Sequence, residues 1–130
     1  MAGRGELMQI GQVAERIGLS LRTIRFYEEN GLVVPTSRTE GGFRLYSEAD
    51  VARFEVIKRM KPLGFSLEEM QELLTLLHDL EHGTGDREQL LTRLREFHEA
   101  AVARVAALRD QLAVAEGFAG TLAGHLDTHR

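Results

Sequence analysis

From Asp86 to Glu116 the chain runs without a single proline or glycine, and this stretch limits what the protein can fold into more than any other. Apolar or small residues recur at Leu91, Leu94, Ala101, Val105, Leu108, Leu112, Ala115, Ala119, Leu122 and Leu126. With His98 included, the spacing alternates three and four throughout, which is a heptad seam. As one helix, 86–116 would be about 46 Å long, whereas a compact chain of this size has a radius of gyration of about 14 Å. Such a body does not cover the seam. The stretch therefore predicts a coiled-coil dimerisation helix over 86–116 in a homodimer, with Leu94, His98, Ala101, Val105, Leu108, Leu112 and Ala115 on the dimer seam. The alternative is a helix folded back into a monomeric bundle. Past Gly117 the pattern weakens, because Gly117, Gly120 and Gly124 each cost a helix about 1 kcal/mol relative to alanine. Residues 117–130 are thus read as a short, loosely held amphipathic helix, a C-terminal tail and candidate effector region. Phe97, Phe118, Leu122 and Leu126 either line a small effector pocket there or simply cap the dimer core.

The first part of the chain reads differently. Residues 1–9 carry glycine and charge and are read as a flexible N-terminus. "IGQVAERIG" (10–18) is a short helix with Ile10, Val13, Ala14 and Ile17 at helical spacing, ended by Gly18. Ser20 caps a second helix that stops at Asn30-Gly31. "LVVPTSRTEGGFRLYS" (32–47) combines an extended start, a Gly-Gly turn and an alternating run, which predicts a β-hairpin wing. Ser47 with Asp50 opens a helix from about 48 to 60. Ser66 with Glu69 opens another to about 81, and "EHGTGD" is a hinge with Asp86 as the next cap. The fold class is mainly α: a winged helix-turn-helix domain over 10–81 followed by the long coiled-coil helix.

The second helix raises a question. At about 100° per residue, Leu21, Ile24 and Tyr27 share one face, while Arg22, Arg25, Phe26 and Glu29 lie on the other. Two arginines and a phenylalanine facing water make sense if DNA covers them. Ile10, Ala14, Gly18 and Ile24 have helix-turn-helix spacing, with a small residue at the helix crossing and glycine at the turn. The second helix of that motif lies in the major groove, and an arginine in its first turn donates bidentately to guanine, worth about 1–3 kcal/mol of discrimination. Phe26 then lies against a sugar or a thymine methyl group, or else packs on the wing as core. The net charge of −4 does not argue against this. Between 16 and 61 there are nine basic and six acidic residues, and a local basic face matters more than the total once screening acts beyond about 10 Å.

The pieces "IGQVAERIGLSLRTIRFYEENGL", Pro35, Arg38, "GFRLY" and "LGFSLEEMQELL" follow one another in the order seen in the MerR family of bacterial transcription regulators, and the chain resembles that family from 10 to about 77. The resemblance implies a winged helix-turn-helix homodimer, paired through an antiparallel coiled coil, on palindromic promoter DNA. It also implies that the dimer bends and untwists the promoter spacer, so that RNA polymerase is engaged indirectly. It assigns DNA contacts to Ser20, Arg22, Thr23, Arg25, Phe26 and Tyr27 of the second helix, to Arg38, Arg44 and Tyr46 of the wing, and to Lys61. The family usually has Arg-Tyr-Tyr and Gly-Tyr-Arg where this chain has Arg25-Phe26-Tyr27 and Gly42-Phe43-Arg44, so two hydroxyl donors are missing.

The residues present narrow the sensing chemistry. With no cysteine in these 130 residues, the thiolate and Fe–S sensing of some branches has no ligands here. His78/His82 and His125/His129 are i, i+4 pairs, but a metal site needs three or four ligands, so neither metal nor cofactor is expected. A small-molecule effector is a candidate partner, while the sequence leaves its identity and its existence open. No glycine-rich phosphate loop or nucleophile constellation suggests an enzyme. A helical scaffold that uses the winged domain for protein contacts is the competing class. With no apolar run near 18 residues and no secretory h-region, a cytoplasmic, nucleoid-associated protein without membrane contact is expected.

Overall fold

The computed structural model describes residues 6–130. It comprises two units, 1–90 and 91–130, with residues 1–5 outside the described part. The first unit holds β1 (Met8–Gln9), α1 (Ile10–Ile17), α2 (Leu21–Glu29), β2 (Ser37–Arg38), β3 (Arg44–Tyr46), α3 (Glu48–Met60), a 3₁₀ turn at Lys61–Leu63 and α4 (Leu67–His82). α5 (Arg87–Thr128) begins at its end.

The caps follow the sequence closely. Ser47 with Asp50 and Ser66 with Glu69 form reciprocal capping boxes on α3 and α4. Asp86 Oδ1 accepts from Glu88 N and Gln89 N at 3.0 and 3.3 Å. Gly18 closes α1 at φ +73°, where its N–H donates to the Ala14 carbonyl; a side chain there would be strained. Lys58 Nζ, from α3, donates to the Ile17 carbonyl at 2.6 Å and so places a cation at the negative end of α1.

The strands form an antiparallel sheet in the order β1-β3-β2, with Met8 opposite Tyr46 and Arg38 opposite Arg44. The reading of 1–9 as flexible is therefore corrected at Met8–Gln9. These two residues cover the otherwise open edge of β3, and an unpaired edge is a liability that a short added strand removes. The core of this unit gathers Val13, Ile17, Ile24, Val33, Phe54 and Ile57, all nearly inaccessible. The base of the wing is closed by Asp50, which is buried. One of its carboxylate oxygens accepts from Thr36 N, Thr36 Oγ1 and Ser47 N at 3.1, 2.7 and 3.0 Å.

In the second unit, the separate tail over 117–130 is also corrected. α5 is one continuous helix of 42 residues, about 63 Å at 1.5 Å per residue. Three glycines weaken it without breaking it, because no proline removes a backbone hydrogen bond and alanine and leucine dominate between them. Thr121 Oγ1 and Thr128 Oγ1 add bonds to the Gly117 and Gly124 carbonyls. On the seam, Val105, Leu108 and Leu112 are exposed, as are His98 and Ala115, while Leu94 and Ala101 are partly covered.

Candidate nucleic-acid interface

α2 is positioned from within. Ser20 Oγ accepts from Thr23 N at 3.0 Å and donates to Thr23 Oγ1 at 2.8 Å, so these two side chains are committed to the cap. Ile24 and Tyr27 are buried and fix the helix's rotation. Arg22, Arg25 and Phe26 face outward and are exposed. Phe26 is 46 % accessible and meets the Tyr27 ring edge-on at 5.7 Å, so the reading that it packs on the wing as core does not hold. Leu21, placed by periodicity on the inner face, is instead exposed. It is the first residue of α2.

The wing follows. Gly42, at φ +87°, makes the tip, held by Thr39 N to the Phe43 carbonyl at 2.8 Å and Gly42 N to the Thr39 carbonyl at 2.9 Å. Phe43 is 70 % accessible. Arg38 and Arg44 lie side by side on paired strands, and both are ion-paired with Glu28 of α2. Lys61 is exposed at the start of the 3₁₀ turn.

One of the residues assigned to DNA by resemblance, Tyr46, is corrected here. Tyr27 is buried, and Tyr46 is wholly inaccessible against Phe54, ring centroids 5.8 Å apart. The Tyr46 hydroxyl is itself buried and reaches no phosphate without unpacking the core. In β3, strand alternation turns Arg44 and Tyr46 to the side of the sheet that packs inward, with Arg44 kept partly exposed by its length. The Tyr46 hydroxyl has no hydrogen-bond partner among the described residues. Burial, and then the Glu28 carboxylate, pushes its pKa up to about 12.

Tyr46→Phe is therefore expected to leave DNA affinity unchanged and to raise stability by about 1 kcal/mol, since a buried hydroxyl without a partner is a net cost. Below pH 10 the phenol is neutral whether folded or unfolded. From pH 10 to about 12 only the unfolded tyrosine ionises, so wild-type stability falls there and the variant's lead should widen. Thermal melts of the two proteins at pH 7, 9 and 11 check this.

Elsewhere, the His78 and His82 rings stack at 4.1 Å, His82 Nδ1 lies 2.9 Å from the His78 carbonyl oxygen, and Arg53 Nη2 stands 3.4 Å from His78 Nδ1. Among the described residues, no three ligating side chains converge, and no helix is long and apolar enough to cross a membrane. The grouping of Phe97, Phe118, Leu122 and Leu126 is corrected too. In one continuous helix Phe97 and Phe118 are about 31 Å apart along the axis, so the four do not line one pocket of a single chain. Phe97 is buried, with Arg93 over its ring at 4.4 Å, whereas the other three are exposed.

Sequence reasoning missed Glu28 and Lys58 as organisers, and it read Asp50 as a helix cap but not as the partner of Thr36. For Glu28 a signal was present: it follows Ile24 by four residues, and a carboxylate on the inner side of a helix requires a partner.

Comparison with known proteins agrees with this layout. The family model described as "MerR HTH family regulatory protein" matches residues 8–77, and "MerR, DNA binding" matches 51–115. The HTH-type transcriptional regulator CueR of Salmonella typhi is 36% identical over 115 residues, covering 87% of this chain and 83% of its own. The regulator YfmP of Bacillus subtilis is 53% identical over 77 residues, 58% of this chain and 55% of its own. Among solved structures, HiNmlR, a family regulator lacking the sensor domain and bound to promoter DNA, superposes with a TM-score of 0.68 at 24% identity, covering 88% of this chain and 89% of that one. At that identity the likeness is one of fold.

Proposed function

The chain belongs to the MerR family of transcription regulators, and from that premise we propose that it binds palindromic promoter DNA as a homodimer and controls transcription by distorting the spacer. Residues 10–81 form the DNA-binding domain, and α5 pairs with a second copy in an antiparallel coiled coil. Arg22 reads a base edge. Arg25, Arg38, Arg44 and Lys61 contact the phosphate backbone, and Phe26 covers a sugar or a thymine methyl group. Ser20 and Thr23 act chiefly by capping the reading helix. RNA polymerase is engaged through the reshaped promoter, in the cytoplasm at the nucleoid. The chain has no catalytic role, and an effector, if one is used, is a small molecule.

The observation that carries this reading is the outward face of α2. Arg22, Arg25 and Phe26 are exposed together on a helix whose other face is locked into the core. DNA selection with the purified protein, followed by affinity measurements on the enriched duplex across a salt series, tests it. An enriched palindrome is expected, with affinity falling by orders of magnitude between about 50 and 200 mM salt. Weak, salt-insensitive binding without a motif would overturn the reading in favour of a protein-binding scaffold. Arg22→Ala is expected to cost the selected duplex roughly 10- to 100-fold and a mixed-sequence duplex much less. Lys61→Ala should weaken both equally, as a lost phosphate contact does.

A further inference from the structure

We propose that Glu28 is a positioning residue for DNA recognition: it holds Arg38 and Arg44 of the wing in register with the reading helix and limits how much of their charge is offered to DNA. The inference rests on the DNA-binding reading above. Arg38 and Arg44 are direct partners across the antiparallel β2–β3 pair, where like charges repel. The hairpin by itself thus disfavours its own pair of arginines. The missing counter-charge comes from α2. The Glu28 side chain is only 8 % exposed, pairs with Arg44 Nε, and lies 3.6 Å from Arg38 Nη2. Arg38 is steadied further by Nη1 donating to the Gly42 carbonyl at 3.1 Å.

One carboxylate therefore ties both strands of the wing to the helix that carries Arg22 and Arg25. A negative charge beside a phosphate-binding surface lowers affinity, so affinity does not account for it. Geometry does: with Glu28 in place, reading helix and wing meet the duplex as one body, and the three charges present +1 rather than +2. The wing's electrostatic grip is moderated, which favours the correct site over bulk DNA.

The test compares wild type and Glu28→Gln on a mixed-sequence duplex and on the selected duplex, from 50 to 200 mM salt. Freeing one positive charge per subunit should steepen the log-log salt slope by about 0.9 per subunit, about 1.8 for a dimer. The loss of affinity over that salt range then grows roughly twelvefold. At low salt the variant should bind the mixed duplex more tightly, and its preference for the selected duplex should fall by about tenfold, the scale of one lost base contact. An unchanged slope, or an equal loss on both duplexes, would overturn the proposal and leave Glu28 as a purely structural residue. If Glu28→Gln does not fold, Glu28→Asp carries the test, since it keeps the charge but withdraws it by one methylene. A slope steeper than wild type supports the coupling, and a wild-type slope refutes it. A wild-type protein that binds neither duplex in a salt-dependent way would refute the DNA-binding reading itself, a result distinct from any of these.

Discussion

Leu108→Asp is expected to dissociate the protein into monomers at micromolar concentration and to abolish binding to a full palindromic site. Val105, Leu108 and Leu112 stand 37, 43 and 57 % exposed on successive turns of α5, a line of side chains that α5 alone does not cover. In a symmetric pair each substitution counts twice. Losing about 2 kcal/mol of burial per copy amounts to about 4 kcal/mol per dimer, before the cost of forcing a carboxylate into the seam. That alone is roughly a thousandfold in dimer affinity. Helicity should fall as well, because most helical stability in proteins comes from packing one face rather than from propensity. Light scattering coupled to size exclusion, with circular dichroism on the same samples, reads both effects. A variant that stays dimeric and helical at 1 µM would mean that the seam is not the dimer contact.

Phe54→Ala should have the next largest effect, this time on the DNA-binding unit. Phe54 is fully buried on α3 and stacks edge-on with Tyr46 of the wing, so it joins the sheet to the helical core. Truncating a buried phenylalanine typically costs 3–5 kcal/mol, a large share of a small domain's total of about 5–15 kcal/mol. At 4–8 °C per kcal/mol for a unit of this size, the melting temperature should drop by about 20 °C. Phe43→Ala is the control. It removes the same side chain from an exposed wing tip and should shift stability by less than about 0.5 kcal/mol. Similar losses from both substitutions would contradict the placement of the core.

Helix caps and the long helix α5 were legible in the sequence because both depend on local composition and spacing. Ser20, Ser47, Ser66 and Asp86 all cap as their positions suggest, and α5 runs through the stretch that lacks proline and glycine. The wing hairpin was legible from Gly41-Gly42 and the alternation after it. What could not be read depends on contacts distant in sequence. The pairing of Met8–Gln9 with β3 spans 36 residues or more and leaves no local mark. Tyr46 looks like a surface hydroxyl in "FRLY" until Phe54 is placed beneath it. The join at Gly117 shows the opposite error: the helix expected beyond it is continuous with α5, since glycine lowers helix propensity by an amount that favourable neighbours can offset. In the candidate interface, the exposed face of α2 was readable from its 100° periodicity, but the hold of Glu28 on two wing arginines was not, since that requires the fold.

The Asp50 clasp has a consequence for how such a protein can change over generations. Residues 36 and 47, the two ends of the wing, meet at a single carboxylate oxygen, so the segment between them is a loop whose closure is already secured at its base. Lengthening its tip near Gly41-Gly42 adds only the slowly growing entropy of a longer loop, about 0.6 kcal/mol per doubling. A lineage can thus extend, shorten or recharge the wing's outer end without disturbing the packing below Tyr46. The wing is in effect an interchangeable fitting on a fixed mount, and new binding preferences can be tried there at little risk to the fold.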